Sequence, residues 1–295
     1  MEIYKRGSKG EKVKQIQTAL GIIADGVFGL STENAVKKFQ KEHGLFADGI
    51  VGKKTLNMLM PNFDTDMSTK IFEPAQIYFE NYYLPKNEYL NGTYKNDYII
   101  LHHTAGHDNP KQVVDGWAKD SLGRVATEFV LGGQNSVNGR SIYDGQLIHT
   151  FPEGNQGYHI GNCGSSYMST HSVGIEMCNI GWAKNGKSYV NTSFAPGQTV
   201  TLKKPFRGYT TWHRYSDKQI SVLHDLLLYI ANRDNIDLHT GLYEWIKKEG
   251  ADKAFEFHQD AYMGKVKGVI THANIRRDKF DLFPQPELVD MILSL

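Results

Sequence analysis

Cysteine is scarce. Cys163 and Cys178 are the only two in 295 residues, too few for a disulfide framework, so the chain fits synthesis in a reducing compartment with one disulfide at most. Net charge is nearly absent as well: 33 Lys and Arg face 32 Asp and Glu, a formal +1. That balance excludes a global field able to draw nucleic acid or an anionic membrane surface. No apolar run is long enough to cross a bilayer, and residues 1–10 carry no apolar stretch of the kind a secretory signal requires. The expectation is therefore no nucleic acid, no membrane insertion and no signal peptide. What is present is ample material for packed cores, with 40% hydrophobic residues, 16 Tyr and 14 Phe, over a length that suggests two domains. Residues 1–60 hold ten Lys or Arg against six Asp or Glu, a mild basic excess that suits an anionic polymer or simply a solvated surface.

An internal repeat organises the start of the chain. Ala24-Asp25-Gly26-Val27-Phe28-Gly29 reappears 23 residues later as Ala47-Asp48-Gly49-Ile50-Val51-Gly52. Each copy reads as a tight turn followed by a hydroxyl-bearing helix start. Val13, Ile16 and Leu20, then Ala35, Val36 and Phe39 after a Ser31 cap, then Leu56, Leu59 and Met60, recur at helical spacing and predict three short helices. Arg6-Gly7-Ser8-Lys9-Gly10, the paired Asp-Gly-x-x-Gly turns and the region of Gln40 resemble the peptidoglycan-binding module of cell-wall hydrolases over residues 4–60. That resemblance implies wall binding; Asp25, Asp48 and the glycines themselves read as turn formers. A polar, aperiodic stretch follows, giving expected boundaries of 1–60 for the module, 61–75 for a linker and 76–295 for a second domain.

In the second domain, residues 97–101 form an apolar run ending at His102-His103-Thr104-Ala105-Gly106. A helix is predicted after Asp108-Asn109-Pro110 with Val113, Val114 and Trp117 on one face. Strands are predicted at 127–131, in a hairpin over 141–148 turning at Asp144-Gly145, and at 172–177, where Val173, Ile175 and Met177 share one side and Glu176 lies on the other with Gly174. The clearest helix is 216–232, with Ser216 and Gln219 as a capping box and Ile220, Leu223, Leu227 and Ile230 as its buried stripe. A less regular one spans 243–257, and Pro286 opens a last helix. Strands alternating with helices predict an α/β domain, a mixed central sheet with flanking helices, beside the small N-terminal three-helix domain.

Residues 268–283 carry the densest chemistry. The β-branched run Val269-Ile270-Thr271 delivers His272, and a polar loop with Lys279 and Asp281 follows. Imidazole and carboxylate are ligands that zinc accepts, and a catalytic zinc takes three protein ligands and leaves a position for water. His102, ending the other apolar run, is the best candidate for the remaining ligand.

The run at His102, the Ser172-Val173-Gly174-Ile175-Glu176 strand, and His272 with Lys279-Phe280-Asp281 together resemble the zinc-dependent N-acetylmuramoyl-L-alanine amidases. That family shares its fold with the peptidoglycan recognition proteins and the phage lytic amidases. The resemblance spans roughly residues 95–292, with insertions near 184–212 and 239–262. It implies one catalytic Zn2+ held by His102, His272 and Asp281, with Glu176 as general base and Lys279 stabilising the oxyanion. Asp278 stays open as a rival third ligand, because the spacing of nine between His272 and Asp281 is one off that of many bacterial relatives. His159, in Tyr158-His159-Ile160-Gly161, matches a position lining the substrate groove or is a hydrogen-bonding loop histidine, and Tyr158 is read with it as substrate-binding. His103 reads as substrate-binding, or as a structural group orienting a ligand. Glu128 stands where many relatives carry His, so contacts to the stem peptide are expected to differ, and Cys178 reads as a small buried residue.

The resemblance implies a peptidoglycan hydrolase cutting between N-acetylmuramic acid and L-alanine, as a phage endolysin held in the host cytoplasm until lysis. A noncatalytic peptidoglycan-recognition protein and a zinc peptidase cutting within the stem peptide are the alternatives.

Overall fold

The computed structural model describes residues 3–60, 77–161, 163 and 165–295; the expected linker at 61–75 lies outside them. The chain divides into two units, Met1–Phe72 and Glu73–Leu295.

In the first unit, helices α1 (Glu11–Ala19), α2 (Leu30–Glu42) and α3 (Lys53–Leu59) enclose Val13, Ile16, Phe28, Val36, Val51 and Leu56. The repeat has a specific physical cause. Gln17, at the buried end of α1, donates from Nε2 to Asp25 Oδ1 (2.7 Å), Val27 O (3.1 Å) and Thr32 Oγ1 (2.9 Å), and accepts from Gly26 N (2.8 Å). Twenty-three residues on, Gln40 makes the same four bonds, to Asp48 Oδ1, Ile50 O, Thr55 Oγ1 and from Gly49 N. Each Asp also accepts from the amide two residues on, Val27 or Ile50, at 2.9 Å, so both carboxylates shape turns. Gly26 and Gly49 hold φ of +74° and +76°, where a side chain would be strained. The expected Ser31 cap is not the cap: Gly29 holds that position and Ser31 lies within the first turn. The hydroxyls that matter are Thr32 and Thr55, which are buried and bonded to the glutamines.

The second unit comprises β1 (Glu80–Asn81), β2 (Tyr98–His103), α4 (Pro110–Trp117), β3 (Phe129–Leu131), β4 (Leu147–His149), α5 (Ser166–Thr170), β5 (Ser172–Met177) and β6 (Trp182–Lys184). It continues through β7 (Lys187–Ser188), β8 (Thr199–Phe206), β9 (Tyr209–His213), α6 (Asp217–Asp234), α7 (Leu242–Glu249), α8 (Ala251–Ala254), α9 (Gln259–Tyr262), β10 (Gly268–Thr271), α10 (His272–Ile275) and α11 (Pro286–Ser294). A mixed six-stranded sheet runs in the order β1-β4-β3-β5-β2-β10, and the insertion near 184–212 proves to run from Trp182 to His213, a second, antiparallel sheet in the order β7-β6-β9-β8.

Strand alternation sorts the main sheet's faces. Ile99, Leu101, Val173 and Ile175 pack with Leu223, Leu227 and Ile230 of α6 and with Leu288 and Ile292 of α11. Tyr98, Ile100 and Ile270 pack on the other side with Ile160 and Met168. The phase separates the two adjacent histidines, His103 going with the α6 side and His102 with the other.

Several predicted elements differ in detail. The hairpin over 141–148 is half a hairpin, since residues 142–145 form a turn and only Leu147–His149 is strand, antiparallel to β3. Ser216 caps α6 through Gln219 N, but the Gln219 side chain does not return the bond. Its Nε2 instead reaches Leu131 O and Cys178 O, acceptors at the ends of β3 and β5. The helix expected over 243–257 breaks at Gly250, where φ is +84°, into α7 and α8. Cys163 and Cys178 are both buried and unpaired.

Glu128, where many relatives carry His, is a structural residue. It is buried, and its carboxylate faces Arg233 of α6 at 2.5 and 3.1 Å, with His149 Nε2 at 3.3 Å from Oε1. Glu128 therefore acts within the fold and does not line the cleft at the sheet's end. Burial alone would raise the Glu128 carboxyl, but His149 and Arg233 more than reverse this and hold it below its ordinary value of 4.5. A depressed folded value means that the stabilisation is fully present above about pH 4.5 and is lost as pH falls through the folded value. Glu128→Ala leaves the largely buried Arg233 guanidinium with Asp234 as its close carboxylate partner, at 3.0 and 2.7 Å, and is expected to cost about 1–3 kcal/mol at neutral pH. Urea unfolding checks this, and most of the difference from wild type should vanish at low pH.

Candidate metal centre

Parallel pairing brings the chemistry together. β2 lies between β5 and β10, all three parallel, so their carboxyl ends share one edge of the sheet, the position where open α/β sheets bind ligands. In register, His102 sits beside Glu176, and Thr271 beside Leu101 places His272 next to His102. His272 opens a one-turn helix whose entry is locked by a reciprocal cap. Asn274 N donates to Thr271 Oγ1 (3.2 Å), and Thr271 N donates to Asn274 Oδ1 (2.8 Å).

The result is a compact triad. His102 Nδ1 lies 2.9 Å from His272 Nδ1, and Asp281 Oδ2 lies 2.8 Å from His272 Nδ1 and 3.3 Å from His102 Nδ1. The three residues form a group able to hold a metal ion, with donor atoms all within 4.8 Å of one another. Two imidazole nitrogens and one carboxylate oxygen match a zinc donor set, and tetrahedral zinc with bonds near 2.0–2.1 Å would space its ligand atoms by about 3.3 Å, close to this triangle. Asp278, the rival, is not part of this group: it is exposed and paired with Arg276 at 3.0 and 2.6 Å.

Neighbouring groups fix the donors. His159 Nε2 faces the Ser172 carbonyl at 3.2 Å and the Ser172 hydroxyl at 3.0 Å; when it donates to the carbonyl, its Nδ1 is left to accept. In that tautomer His102 Nε2, 3.0 Å away, donates to His159 Nδ1, and His102 Nδ1 keeps its lone pair toward the triad. His103 acts from the other face. Its Nδ1 accepts from Leu282 N (3.1 Å) and faces Tyr215 Oη at 2.9 Å. This pins the loop one residue beyond Asp281, where Leu282 takes an uncommon φ of +60°. Neither His103 nor Tyr215 is legible as a pair in the sequence, because they lie 112 residues apart.

Protonation follows from burial. Burial pushes His102 down to about 4, with His272 adding to the fall and Asp281 opposing it. Burial takes His103 to about 4 against the opposing charge of Asp281, and His159 is lowered by burial and by His102. Burial would raise Asp281, but its bonds and charges with His102 and His272 hold it well below the ordinary carboxylate value. Neutral imidazoles beside an ionised carboxylate are the forms that ligate metal.

Glu176 has the opposite character. Its Oε2 is buried with no hydrogen-bond partner among the described residues, and burial raises its carboxyl well above the ordinary range, with Asp281 reinforcing and Lys279 opposing. Glu176, Lys279, His159 and the triad all line one cleft of about 450 Å³. Tyr158 does not line it; its ring is exposed, and its backbone pairs with Arg124 and Ala126.

A family model described as N-acetylmuramoyl-L-alanine amidase matches residues 92–279, nearly two thirds of the chain. The chain belongs to the N-acetylmuramoyl-L-alanine amidase family. A second family model, for a peptidoglycan binding domain, matches residues 9–59 of the same amidase-family chain. No curated protein matches it. Among solved structures, a fused Zn-dependent amidase/peptidase/peptidoglycan-binding domain-containing protein from Clostridium acetobutylicum ATCC 824 is 44% identical over 20% of this chain, with a TM-score of 0.20. The match spans 29% of that protein. PlyL is 13% identical over 68% of this chain and 85% of its own, with a TM-score of 0.37. The amidase AmiD from E. coli, in complex with anhydro-N-acetylmuramic acid-L-Ala-D-gamma-Glu-L-Lys, is 19% identical over 49% of this chain and 46% of its own, at 0.32.

Proposed function

We propose that the protein is a peptidoglycan hydrolase of the endolysin kind, cutting the amide between the lactyl group of N-acetylmuramic acid and L-alanine, with the first unit holding it on the wall. One observation carries the reading: two imidazoles and a carboxylate converge beside Glu176, whose Oε2 is buried and unpartnered among the described residues, at the end of a parallel sheet. His102, His272 and Asp281 would hold a Zn2+ ion. Bound there, it supplies positive charge that acidifies water and polarises a carbonyl.

The chain's own groups then divide the work. Glu176, made more basic by burial, takes a proton from the water whose oxygen joins the lactyl carbonyl carbon. Lys279, half-buried at the cleft, stabilises the charge that builds on the carbonyl oxygen. As the carbon–nitrogen bond breaks, Glu176 returns its proton to the leaving alanine nitrogen, and no covalent intermediate with the protein is required. His159 holds the His102 tautomer and His103 holds the Asp281 loop. Wall binding by residues 9–59 would keep the catalyst concentrated at an insoluble polymer.

Mass spectrometry of fragments released from purified peptidoglycan tests the bond assignment. Free stem peptides beginning with L-alanine are expected. Fragments retaining L-alanine on the sugar would indicate a peptidase, and no release at all would indicate a recognition protein.

A further inference from the structure

The second sheet is built onto the catalytic cleft. Tyr189 Oη donates to the Ala105 carbonyl, just beyond the β2 histidines. Arg207, at the β8–β9 turn, donates to Ala273 O and Arg277 O in the loop after β10, both at 3.1 Å. Trp212 of β9 stacks on Phe283 at 4.7 Å, and Tyr209 meets Phe280 edge-on. The insertion is therefore tied to both of the segments that carry the metal-ligand candidates, and two of its side chains, Trp182 and Tyr189, line the cleft.

Trp182 is held for use as a flat surface. Its indole stacks on Tyr209 with centroids 4.1 Å apart and planes 13° apart, so Tyr209 covers one face and fixes the ring's plane. Trp182 is only half-buried, and it borders the cleft with Tyr189, which is 46% exposed. Strand β6 is paired on both sides, with β7 and with β9, so it offers an extended peptide no free backbone edge there. What it offers is ring surface, and a pyranose presents a matching flat face of C–H groups; apolar aromatic walls with few fixed polar groups are ordinary small-ligand architecture.

We infer that Trp182, flanked by Tyr189, is the platform on which the amino-sugar ring of the substrate stacks, so that this insertion selects the sugar side of the scissile amide. The inference rests on the amidase reading above. Hydrolysis of an N-acetylmuramoyl-L-alanyl peptide is compared with that of the same peptide carrying a D-lactoyl group without sugar. Trp182→Leu, which keeps apolar bulk against Tyr209, is expected to lower the ratio of the two kcat/KM values about tenfold, mainly through KM of the sugar-bearing substrate. Inhibition by the peptide-free disaccharide of N-acetylglucosamine and N-acetylmuramic acid should weaken by a similar factor. Trp182→Phe should restore most of both effects. An unchanged ratio in the Leu variant with unchanged inhibition overturns the platform alone. A wild-type protein that frees no L-alanine amino terminus from the sugar-bearing substrate overturns the amidase reading, and the platform with it.

Discussion

Glu176→Gln is expected to slow the release of L-alanine amino termini by about a hundredfold to ten-thousandfold, the usual span for a positioned proton carrier, while leaving metal content and wall binding in place. The substitution keeps the side chain's shape and removes its ability to take a proton. It also removes a buried carboxylate that has no hydrogen-bond partner at Oε2 among the described residues, an arrangement that costs stability in any protein that does not use it. The variant should therefore unfold no more easily than wild type, and a thermal melt beside the assay reads this directly. A Gln variant with wild-type turnover would remove Glu176 from the chemistry.

Asp281→Ala is expected to cut metal retention by more than about a hundredfold, since a lost ligand should outweigh the ten- to hundredfold cost of losing a mere supporting partner, and to abolish turnover with it. Asp278→Ala should retain both, because its carboxylate is bound to Arg276. Zinc content after gel filtration against a weak chelator separates the two variants. Metal loss in Asp278→Ala with retention in Asp281→Ala would reverse the assignment.

The pair also shows what the sequence could and could not reveal. His102, Glu176 and His272 were legible because each ends or lies in a β-branched run, and parallel pairing converts such ends into neighbours. The third ligand was not settled in the same way. Residues 276–281 lie in a loop without periodicity, in which Asp278 pairs with Arg276 while Asp281 meets the two histidines and Leu282 N bonds to His103. Gln17 was overlooked although its signal was available, since it precedes Gln40 by the same 23 residues that separate the two Asp-Gly turns. The second sheet was visible only as an insertion. Strands β6 and β7 are only three and two residues long, β8 is interrupted by Pro205, and the sheet's anchors, Tyr189 on Ala105 and Arg207 on Ala273, join residues 66 to 84 positions apart. Such contacts leave no local pattern. Glu128 was noticed as a departure from the family, but its partner Arg233, 105 residues away, and hence its place in a structural ion pair, left no local signal.

The most direct test of the account is a digest of purified peptidoglycan in which free L-alanine amino termini are counted before chelation, after it, and after zinc is restored. The account predicts termini that accumulate, stop with the chelator and resume with the metal. Accumulation unaffected by chelation, or new reducing sugar ends in place of alanine termini, would contradict it.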